Sequence, residues 1–324
     1  MRASLFFMTL AALSTVSHFA AAQKPEYAII IHGGAFNSLP KDGQPKRDAI
    51  AASLKKVLES GVADLKKGAA ALDVVESCIR QLEDDPLFNA GKGAVFNADH
   101  KHELDASIMD GRDKSAGAVA GVKTVKNPIG LARLVMTKTR HVLLTADGAE
   151  KFADEMKVER VPNEYFSTAD ADVELKEVQA EVQRELEKKK MGTVGCVVLD
   201  KAGNLAAGTS TGGVTNKKYG RVGDSPIISA GTYADNATCG VSCTGVGEHF
   251  IRNAVSFDMS ARMKYKGQSV EDAAKAIMTE VLKPNIGGLI AIDKDGNITA
   301  QYNTTGMIRA WANSKGESDV KVGK

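Results

Sequence analysis

The chain has 324 residues, of which 43% are hydrophobic and 25% charged, so it is long enough to bury a substantial core and has the composition of a soluble globular protein. Its 42 basic and 40 acidic residues nearly balance, and no basic stripe with interleaved aromatic residues runs along it. These features argue against nucleic acid as the main partner and favour a small polar substrate.

The N-terminus has the layout of a secretory signal peptide. Arg2 precedes an apolar stretch at residues 5–13, and alanines at 20–22 come just before Gln23. The stretch is shorter than the about 20 residues that a membrane-spanning helix needs, so we predict export without a membrane anchor. We expect cleavage after Ala22 (signal peptide 1–22) and a periplasmic or secreted protein.

Strands and helices then follow in groups. Apolar periodicity and turn residues predict, before the middle of the chain, strands over residues 27–32, 115–122 and 141–144 and helices over about 49–67, 70–82, from 127, and 146–155. A segment rich in Glu, Gln, Lys and Arg over 174–190 predicts an exposed linker, drawn over about 156–192. Beyond it we predict strands near 194–199, 205–210, 227–231 and 239–244, helices over 248–263 and 269–282, and a hairpin at 292–298. The pattern favours two packed sheets covered by helices.

Gly192 and Thr193 stand at the head of an apolar, β-branched strand. A threonine hydroxyl is a poor nucleophile unless a base lies beside it. If the Gly192–Thr193 bond were cut, the freed α-amine, which titrates near pH ~7.7–8.0, would be that base. The alternative is an ordinary strand whose threonine suits a pleated surface.

The next turn places a second hydroxyl beside the first. Residues 200–204 form a hairpin turn, so Leu199 faces Leu205, and the same register puts Thr193 opposite Thr211 with Cβ atoms about 4.5–5.5 Å apart. Such a pair could orient the nucleophile or shuttle its proton, or it could simply stabilise the sheet.

The cysteines and histidines give no sign of a disulfide or zinc site. Cys239 and Cys243 are four apart in one predicted strand, about 13 Å between Cα atoms, beyond disulfide reach. With Cys78 and Cys196 in other apolar elements, we predict four free, packed thiols. The spacings of zinc motifs are absent. Residues 100–102, His-Lys-His, predict a solvated turn, and the histidine at 32 a core or loop-supporting residue.

Seven motifs resemble, in order, those of the plant-type L-asparaginases, also called isoaspartyl (β-aspartyl) peptidases, which are N-terminal nucleophile (Ntn) hydrolases. The resemblance runs from about residue 27 to about 311, and the motifs lie at 88–93 (Phe-Asn-Ala-Gly-Lys-Gly), 103–111, 192–195, 210–213, 220–226, 243–248 and 303–307. It implies an α/β (α+β) fold, a four-layer αββα sandwich. It also implies a precursor that cuts itself into an alpha subunit, 23–192, and a beta subunit, 193–324, by attack of Thr193 on the Gly192 carbonyl.

The resemblance further implies the mature reaction. Thr193 would attack the side-chain carbonyl of L-asparagine or of a β-aspartyl dipeptide, form a covalent β-aspartyl enzyme, and release L-aspartate. Thr211 would hydrogen-bond the nucleophile, and Thr244 with the Gly245 N–H would form the oxyanion hole. The remaining site residues would bind the substrate head: Arg221 the α-carboxylate, and Asp224 with the Gly247 carbonyl the α-ammonium. An internal ion pair between Arg221 and Asp224 is the alternative.

A cation and an assembly are implied as well. The loop over 82–92 resembles a structural sodium loop, whose backbone carbonyls would come from Leu82, Glu83, Asp85, Phe88, Ala90 and Lys92. No organic cofactor is implied, potassium activation is open, and relatives pair as (αβ)₂. The sequence departs from the family pattern at Lys92, Met191 and Phe36. Members usually carry glycine at the position of Phe36, so the rate of processing stays open.

Three alternatives stand beside this reading. A glycosylasparaginase-like amidase would have Asp-Thr-Ile-Gly at the cut, where this chain has Gly192 and Val194. An unprocessed, non-catalytic amino-acid-binding protein would keep Arg221 and Asp224 without releasing the threonine. A metalloenzyme or nucleotide-binding module lacks its motif. The choice between L-asparagine and β-aspartyl dipeptides stays open, because both carry the same head group.

Overall fold

Two β-sheets form the centre of the computed structural model, which describes residues 24–37, 43–181 and 192–324. The predicted signal peptide and the most charged part of the predicted linker lie outside the described residues. In chain order the strands are β1 (Ala28–Phe36), β2 (Leu104–Asp110), β3 (Ala116–Val122), β4 (Leu143–Thr145), β5 (Val194–Leu199), β6 (Leu205–Thr211), β7 (Thr232–Ala234), β8 (Cys239–Gly245), β9 (Gly287–Asp293), β10 (Ile298–Tyr302), β11 (Gly306–Asn313) and β12 (Ser318–Gly323). The larger sheet has the order β12-β11-β1-β5-β6-β2-β3-β4, and the smaller one β10-β9-β8-β7.

Helices cover the outer face of each sheet. They are α1 (Gly43–Lys66), α2 (Ala71–Glu83), α3 (Pro128–Lys138), α4 (Ala146–Glu155), α5 (Ala169–Glu181), α6 (Gly247–Arg252), α7 (Val255–Lys266) and α8 (Val270–Ala276). Helices α1 to α3 pack on the larger sheet, and α7 and α8 on the smaller one. Of the helices in the part of the chain that the structure describes, none has both the length and the apolar character needed to cross a bilayer.

Three apolar cores separate the layers. One fills the space between α1–α3 and the larger sheet, with Leu54 and Ile79 fully buried. A second lies between the sheets around Ile30, Val197 and Ile290, and a third lies under α7 and α8. The predicted αββα sandwich is confirmed: each sheet buries one face against the other sheet and one against helices.

The register at the proposed nucleophile is the predicted one. Leu199 pairs with Leu205 and Val194 with Ser210 in the β5–β6 ladder, so the next step places Thr193 beside Thr211. On its other side, β5 pairs with β1, whose ladder with β11 shifts register after His32. Thr193 therefore stands at the end of a central strand that has a paired neighbour on each side.

Several boundaries differ from the predicted ones. No strand covers residues 227–231, because backbone bonds from Ala230 and Gly231 to Ile227 O wind this segment into turns, and the strand begins at Thr232. The helix predicted over 248–263 is divided into α6 and α7 at Ala254, which has φ +45°. The helix predicted over 269–282 ends in a π-helical turn at 277–281. Strands β2, β11 and β12 were not predicted.

The predicted exposed linker is wrong over its first part. Phe166 is fully buried, and on α5 the apolar residues Ala171 and Leu175 pack against Phe96. Their four-residue spacing places them on one face of the helix. The segment up to residue 181 is therefore a packed part of the domain, and residues 182–191 lie outside the described residues.

Cysteines and histidines were predicted with mixed success. All four cysteines are free and buried, as predicted. His102, however, is not in a solvated turn: it is fully buried, its Nδ1 donates to Val95 O (3.1 Å), and its Nε2 lies 3.0 Å from Ser167 Oγ. Burial lowers the pKa of His102 to about 4. The imidazole is a neutral link between two loops, a role that neighbouring polar residues concealed.

Candidate active site

Thr193 is held in place through its backbone. It is buried, and its carbonyl accepts a hydrogen bond of 3.0 Å from Nδ1 of His32 on the adjacent strand β1. Nε2 of His32 in turn accepts from Ser242 Oγ at 3.0 Å, across the interface between the sheets. Burial lowers the pKa of His32 to about 3, so the ring is neutral and keeps this single tautomer. His32 is thus a supporting residue, as predicted.

The carbonyl oxygen of Gly192 is surrounded by hydrogen-bond donors. Thr193 Oγ lies 2.6 Å from it, Asn89 Nδ2 2.9 Å and Thr211 Oγ 3.1 Å. The two threonine hydroxyls are 3.3 Å apart, and the Gly213 N–H donates to Thr211 Oγ at 3.0 Å. The threonine pair predicted from the hairpin register therefore exists, and it faces the peptide bond that precedes Thr193.

Asn89 is a site residue that the sequence did not reveal as such. Its side-chain oxygen accepts from Val95 N (3.0 Å), and its amide nitrogen donates to Gly213 O (2.8 Å) as well as to Gly192 O. These bonds fix which end of the amide faces the peptide bond. Space is also tight, since a Cβ at Gly212 would lie 2.6 Å from Asn89 Oδ1. The signal available in the sequence was its place in the glycine-bounded motif at 88–93.

Thr244 and Gly245 reach the same place from the smaller sheet. Thr244, at the end of β8, is fully buried, and its hydroxyl accepts from Ala35 N at 3.3 Å. The preceding Gly34 has φ +112°, and a Cβ there would lie 3.0 Å from Gly192 Cα. Gly245 has φ +151°, and a Cβ there would lie 2.3 Å from a carbonyl oxygen, so only glycine fits. The bulged end of β1 thus lies between Gly192 and Thr244.

The predicted head-group residues also meet. A Cβ on Gly247, which begins α6, would lie 2.8 Å from Asp224 Oδ1 and 3.0 Å from Arg221 Nη2. Arg221 forms a two-bond ion pair with Glu248, Nε to Oε1 at 3.0 Å and Nη2 to Oε2 at 2.9 Å. In the described part of the chain Arg221 and Asp224 form no salt bridge, so the predicted alternative of an internal ion pair between them is wrong.

Asp224 is a buried acid with an unused oxygen. Its Oδ2 has no hydrogen-bond partner among the described residues, and burial raises the pKa of the carboxyl to about 6. A buried, unpartnered carboxylate oxygen is costly unless a cation or donor satisfies it. Asp224 and Arg221 therefore present one negative and one positive group around Gly247, which suits a ligand carrying both charges.

Strand β2 contacts both Thr211 and the segment next to Asp224. Asp105 pairs with Thr211 in the sheet, and two residues along, Ser107 Oγ donates to Ser225 O at 2.6 Å, next to Asp224. Asp105 is fully buried; its Oδ1 accepts from Gly121 N, its Oδ2 has no partner among the described residues, and burial raises its pKa. No role for Asp105 was predicted.

The predicted sodium loop is tightly wound around its own carbonyls. A Cβ at Gly91 would lie 2.2 Å from Glu83 O, and one at Gly93 would lie 2.1 Å from Phe88 O. Within the described ranges, no cluster of three or more His, Cys, Asp or Glu side chains could hold a metal. Any cation here would depend on backbone carbonyls, which are hard oxygen donors, and the sodium site stays a prediction.

Side chains in this loop are engaged elsewhere. Glu83 Oε1 accepts from Ser210 Oγ (2.7 Å) and Ile129 N (3.0 Å), and burial raises the pKa of Glu83 to about 8. The Asp85 carboxylate accepts from Leu87 N, and the Lys92 ammonium lies 5.4 Å from the centre of the Tyr165 ring. The unusual Lys92 side chain therefore lies against an aromatic ring.

Comparison with known proteins agrees with this geometry. A family model described as Asparaginase matches residues 25–322. The isoaspartyl peptidase of Escherichia coli K12 is 49% identical over 295 residues, which covers 87% of this chain and 92% of that protein. The isoaspartyl peptidase/L-asparaginase of Rattus norvegicus is 42% identical (88% and 85% covered), and that of Homo sapiens 41% (89% and 92%). The chain therefore belongs to the asparaginase family of hydrolases.

Proposed function

We propose that this protein is a self-processing N-terminal-threonine amidohydrolase that hydrolyses L-asparagine and β-aspartyl dipeptides to release L-aspartate. The observation that carries the proposal is the Gly192 carbonyl, which lies against the Thr193 hydroxyl and accepts from Asn89 and Thr211. A strained or polarised peptide bond next to a hydroxyl is what self-cleavage requires. The opposite charges of Arg221 and Asp224 then account for the choice of a free amino-acid head.

Self-cleavage proceeds in two steps in this proposal. Thr193 Oγ attacks the carbonyl carbon of Gly192, and the negative charge that develops on the oxygen is stabilised by Asn89 Nδ2 and Thr211 Oγ. The C–N bond breaks as the amine takes a proton, which leaves an ester between Gly192 and the threonine side chain. Water hydrolyses the ester, so Gly192 becomes a carboxylate and Thr193 gains a free hydroxyl and a free α-amine.

In the mature enzyme the α-amine of Thr193 accepts the hydroxyl proton while Oγ attacks the side-chain amide carbon of the substrate. Thr244 Oγ and the Gly245 N–H stabilise the oxyanion. The leaving group departs as ammonia from asparagine, or as an amino acid or peptide from a β-aspartyl substrate, and takes up the proton. Water then cleaves the β-aspartyl ester and restores Thr193.

Binding of the head group decides the substrate class. Arg221 would take the α-carboxylate, and Asp224 with the Gly247 carbonyl would take the α-ammonium. Both L-asparagine and β-aspartyl dipeptides present these two groups unmodified, whereas an asparagine or aspartate within a normal peptide has lost one or both. The proposal therefore restricts hydrolysis to substrates with a free aspartyl head.

The test is intact mass and N-terminal sequencing of freshly purified protein over several days at neutral pH, with Thr193→Ala as the uncleavable control. Two fragments, one beginning at Thr193 and absent from the control, together with release of L-aspartate, would support the proposal. A persistently single chain that binds L-aspartate would favour the binding-protein alternative. Cleavage with activity only on glycosylated asparagine would favour a glycosylasparaginase-like amidase.

Three accompanying proposals concern the setting of the enzyme. We propose that residues 1–22 direct export to the periplasm or outside the cell, which predicts Gln23 as the first residue of the larger fragment. We propose an (αβ)₂ assembly, to be tested by light scattering of the cleaved protein.

We propose that the carbonyls of the 82–92 loop hold sodium, a structural role that stabilises the loop beside Asn89. Melting temperatures measured in equal concentrations of sodium, potassium and choline chloride should then differ. The same melting temperature in all three salts would refute the ion site.

A further inference from the structure

We propose that Glu248 is a positioning residue that aims the Arg221 guanidinium at the substrate α-carboxylate. The proposal rests on the proposed function, since it concerns the same head-group site. Glu248 was noted in the sequence only as the last residue of a motif, and nothing in the proposed reaction uses it. Its contact with Arg221 nonetheless engages both carboxylate oxygens and two nitrogens of the guanidinium.

The ion pair occupies one edge of the guanidinium. Glu248 takes Nε and Nη2 with its two oxygens, at 3.0 and 2.9 Å, in the parallel two-bond geometry that fixes both the distance and the plane of the group. The other edge, Nη1 and the second proton of Nη2, is left for a ligand. A guanidinium held in this way can bind two carboxylates at once, one on each edge.

Two glycines lie close to the other edge of the guanidinium. A Cβ on Gly223 would lie 2.7 Å from Arg221 Nη1, and one on Gly247 would lie 3.0 Å from Nη2. The guanidinium therefore lies close to backbone at both nitrogens, in a space that side chains would fill. Because Gly247 also adjoins Asp224 Oδ1 at 2.8 Å, the free edge and the ammonium-binding carboxylate face the same small region.

Burial argues that the pair serves binding more than folding. The Arg221 side chain is 18% exposed, whereas that of Glu248 is 48% exposed, so the acid approaches from the solvent side. Ion pairs with one well-hydrated partner contribute little to stability. Holding a long, flexible arginine in one rotamer before the substrate arrives does reduce the entropy that binding must overcome. Glu248 also follows Gly247 directly, so one turn fixes both ends of the head-group site.

If Glu248 instead competed with the substrate, its removal would change KM in the opposite direction. If Glu248 competed with the substrate for Arg221, its removal would free the guanidinium and lower KM. Simple electrostatics points the same way, since removing a negative charge favours an anionic ligand. If Glu248 positions Arg221, its removal lets the guanidinium leave its plane and raises KM for every substrate that carries an α-carboxylate.

The experiment compares Glu248→Gln with Asp258→Asn in the fully processed enzyme. Asp258 forms a similar pair with Arg262 Nε at 2.8 Å on α7, outside the machinery, and serves as the matched control. We expect Glu248→Gln to raise KM for L-asparagine about fivefold, the upper end of what such a pair supplies, with kcat within about twofold. Glu248→Asp keeps the charge on a shorter side chain, so its KM should lie between those of the wild type and Glu248→Gln.

A second measurement separates orientation from general damage. L-aspartate and its α-amide differ only in the group that Arg221 would bind, and their inhibition constants give a preference ratio. We expect the ratio to fall in Glu248→Gln and to stay unchanged in Asp258→Asn. An unchanged or lower KM, or an unchanged ratio, would overturn the role of Glu248. If wild-type enzyme hydrolyses neither substrate and does not bind L-aspartate, the proposed function itself has failed.

Discussion

Asn89 offers the sharpest test of the proposed cut at the Gly192–Thr193 bond. We predict that Asn89→Asp slows the proposed cut. The variant keeps the side-chain oxygen that accepts from Val95 N but loses the donor to Gly213 O as well as the one to Gly192 O. It replaces the amide nitrogen that donates to Gly192 O at 2.9 Å with an oxygen. A donor to the developing oxyanion is thereby exchanged for a group that repels it.

The magnitude follows from the count of donors. When Thr193 Oγ attacks, its own proton leaves, so the Gly192 oxygen retains two side-chain donors, Asn89 at 2.9 Å and Thr211 at 3.1 Å. Loss of one oxyanion donor costs on the order of 10²–10³ in rate, or about 2.7–4 kcal/mol. Asn89→Ala should show a loss of this size, and Asn89→Asp a loss at least as large.

The assay follows the fraction of intact chain by mass spectrometry from the moment of purification. Asn236→Asp is the matched control, since Asn236 is also part-buried and accepts from a backbone N–H, Leu205 N at 2.8 Å, but lies away from the cut. Melting temperatures of all variants must be compared first. If folded Asn89→Ala is cleaved as fast as wild type, then the contact with Gly192 O does not stabilise the transition state.

Three further predictions can be checked with the same material. Phe36→Gly, which removes a buried ring packed on Gly306, should speed the self-cut but lower the unfolding free energy by about 3–5 kcal/mol, measured by denaturant titration. Because the pKa of Asp224 is raised to about 6, this acid loses its charge below that pH, and kcat/KM for L-asparagine should fall there in a pH profile. The pKa of Glu83 is raised to about 8 by burial, so the native state keeps a proton that the unfolded state releases. The unfolding free energy should therefore fall between about pH 4.5 and 8 in wild type, and less in Glu83→Gln.

Local rules were enough to predict that Thr193 and Thr211 lie side by side. The turn at 200–204 fixes the β5–β6 register. Because side chains alternate between the two faces of a strand, a fixed register decides which side chains meet. Thr193 and Thr211 could therefore be paired from the sequence. The α/β sandwich could likewise be predicted, because the buried strands and the helices show clear apolar patterns in the sequence. Strand β12 was not, because its alternation of half-exposed residues gives a weak apolar pattern.

Charge composition misled where apolar spacing was the better guide. Ala171, Leu175 and Val178 are separated by four and three residues, which is one face of a helix, and all three are buried. They stand among acidic and basic residues, so average composition suggested a linker. The same error concealed His102, whose burial depends on Phe96 and on loop residues far along the chain.

Asn89 lies 103 residues before Gly192, and no local rule connects them. Their contact depends on the loop after α2 meeting the end of β6, where Gly212 N donates to the Asn89 carbonyl. Before the proposed cut, Asn89 and Thr211 both donate to the Gly192 oxygen. The nitrogen of Thr193 is then part of a peptide bond and has no basic lone pair. A substrate amide therefore cannot be attacked until the first reaction has supplied the amine, so the two hydrolyses must occur in sequence on one hydroxyl.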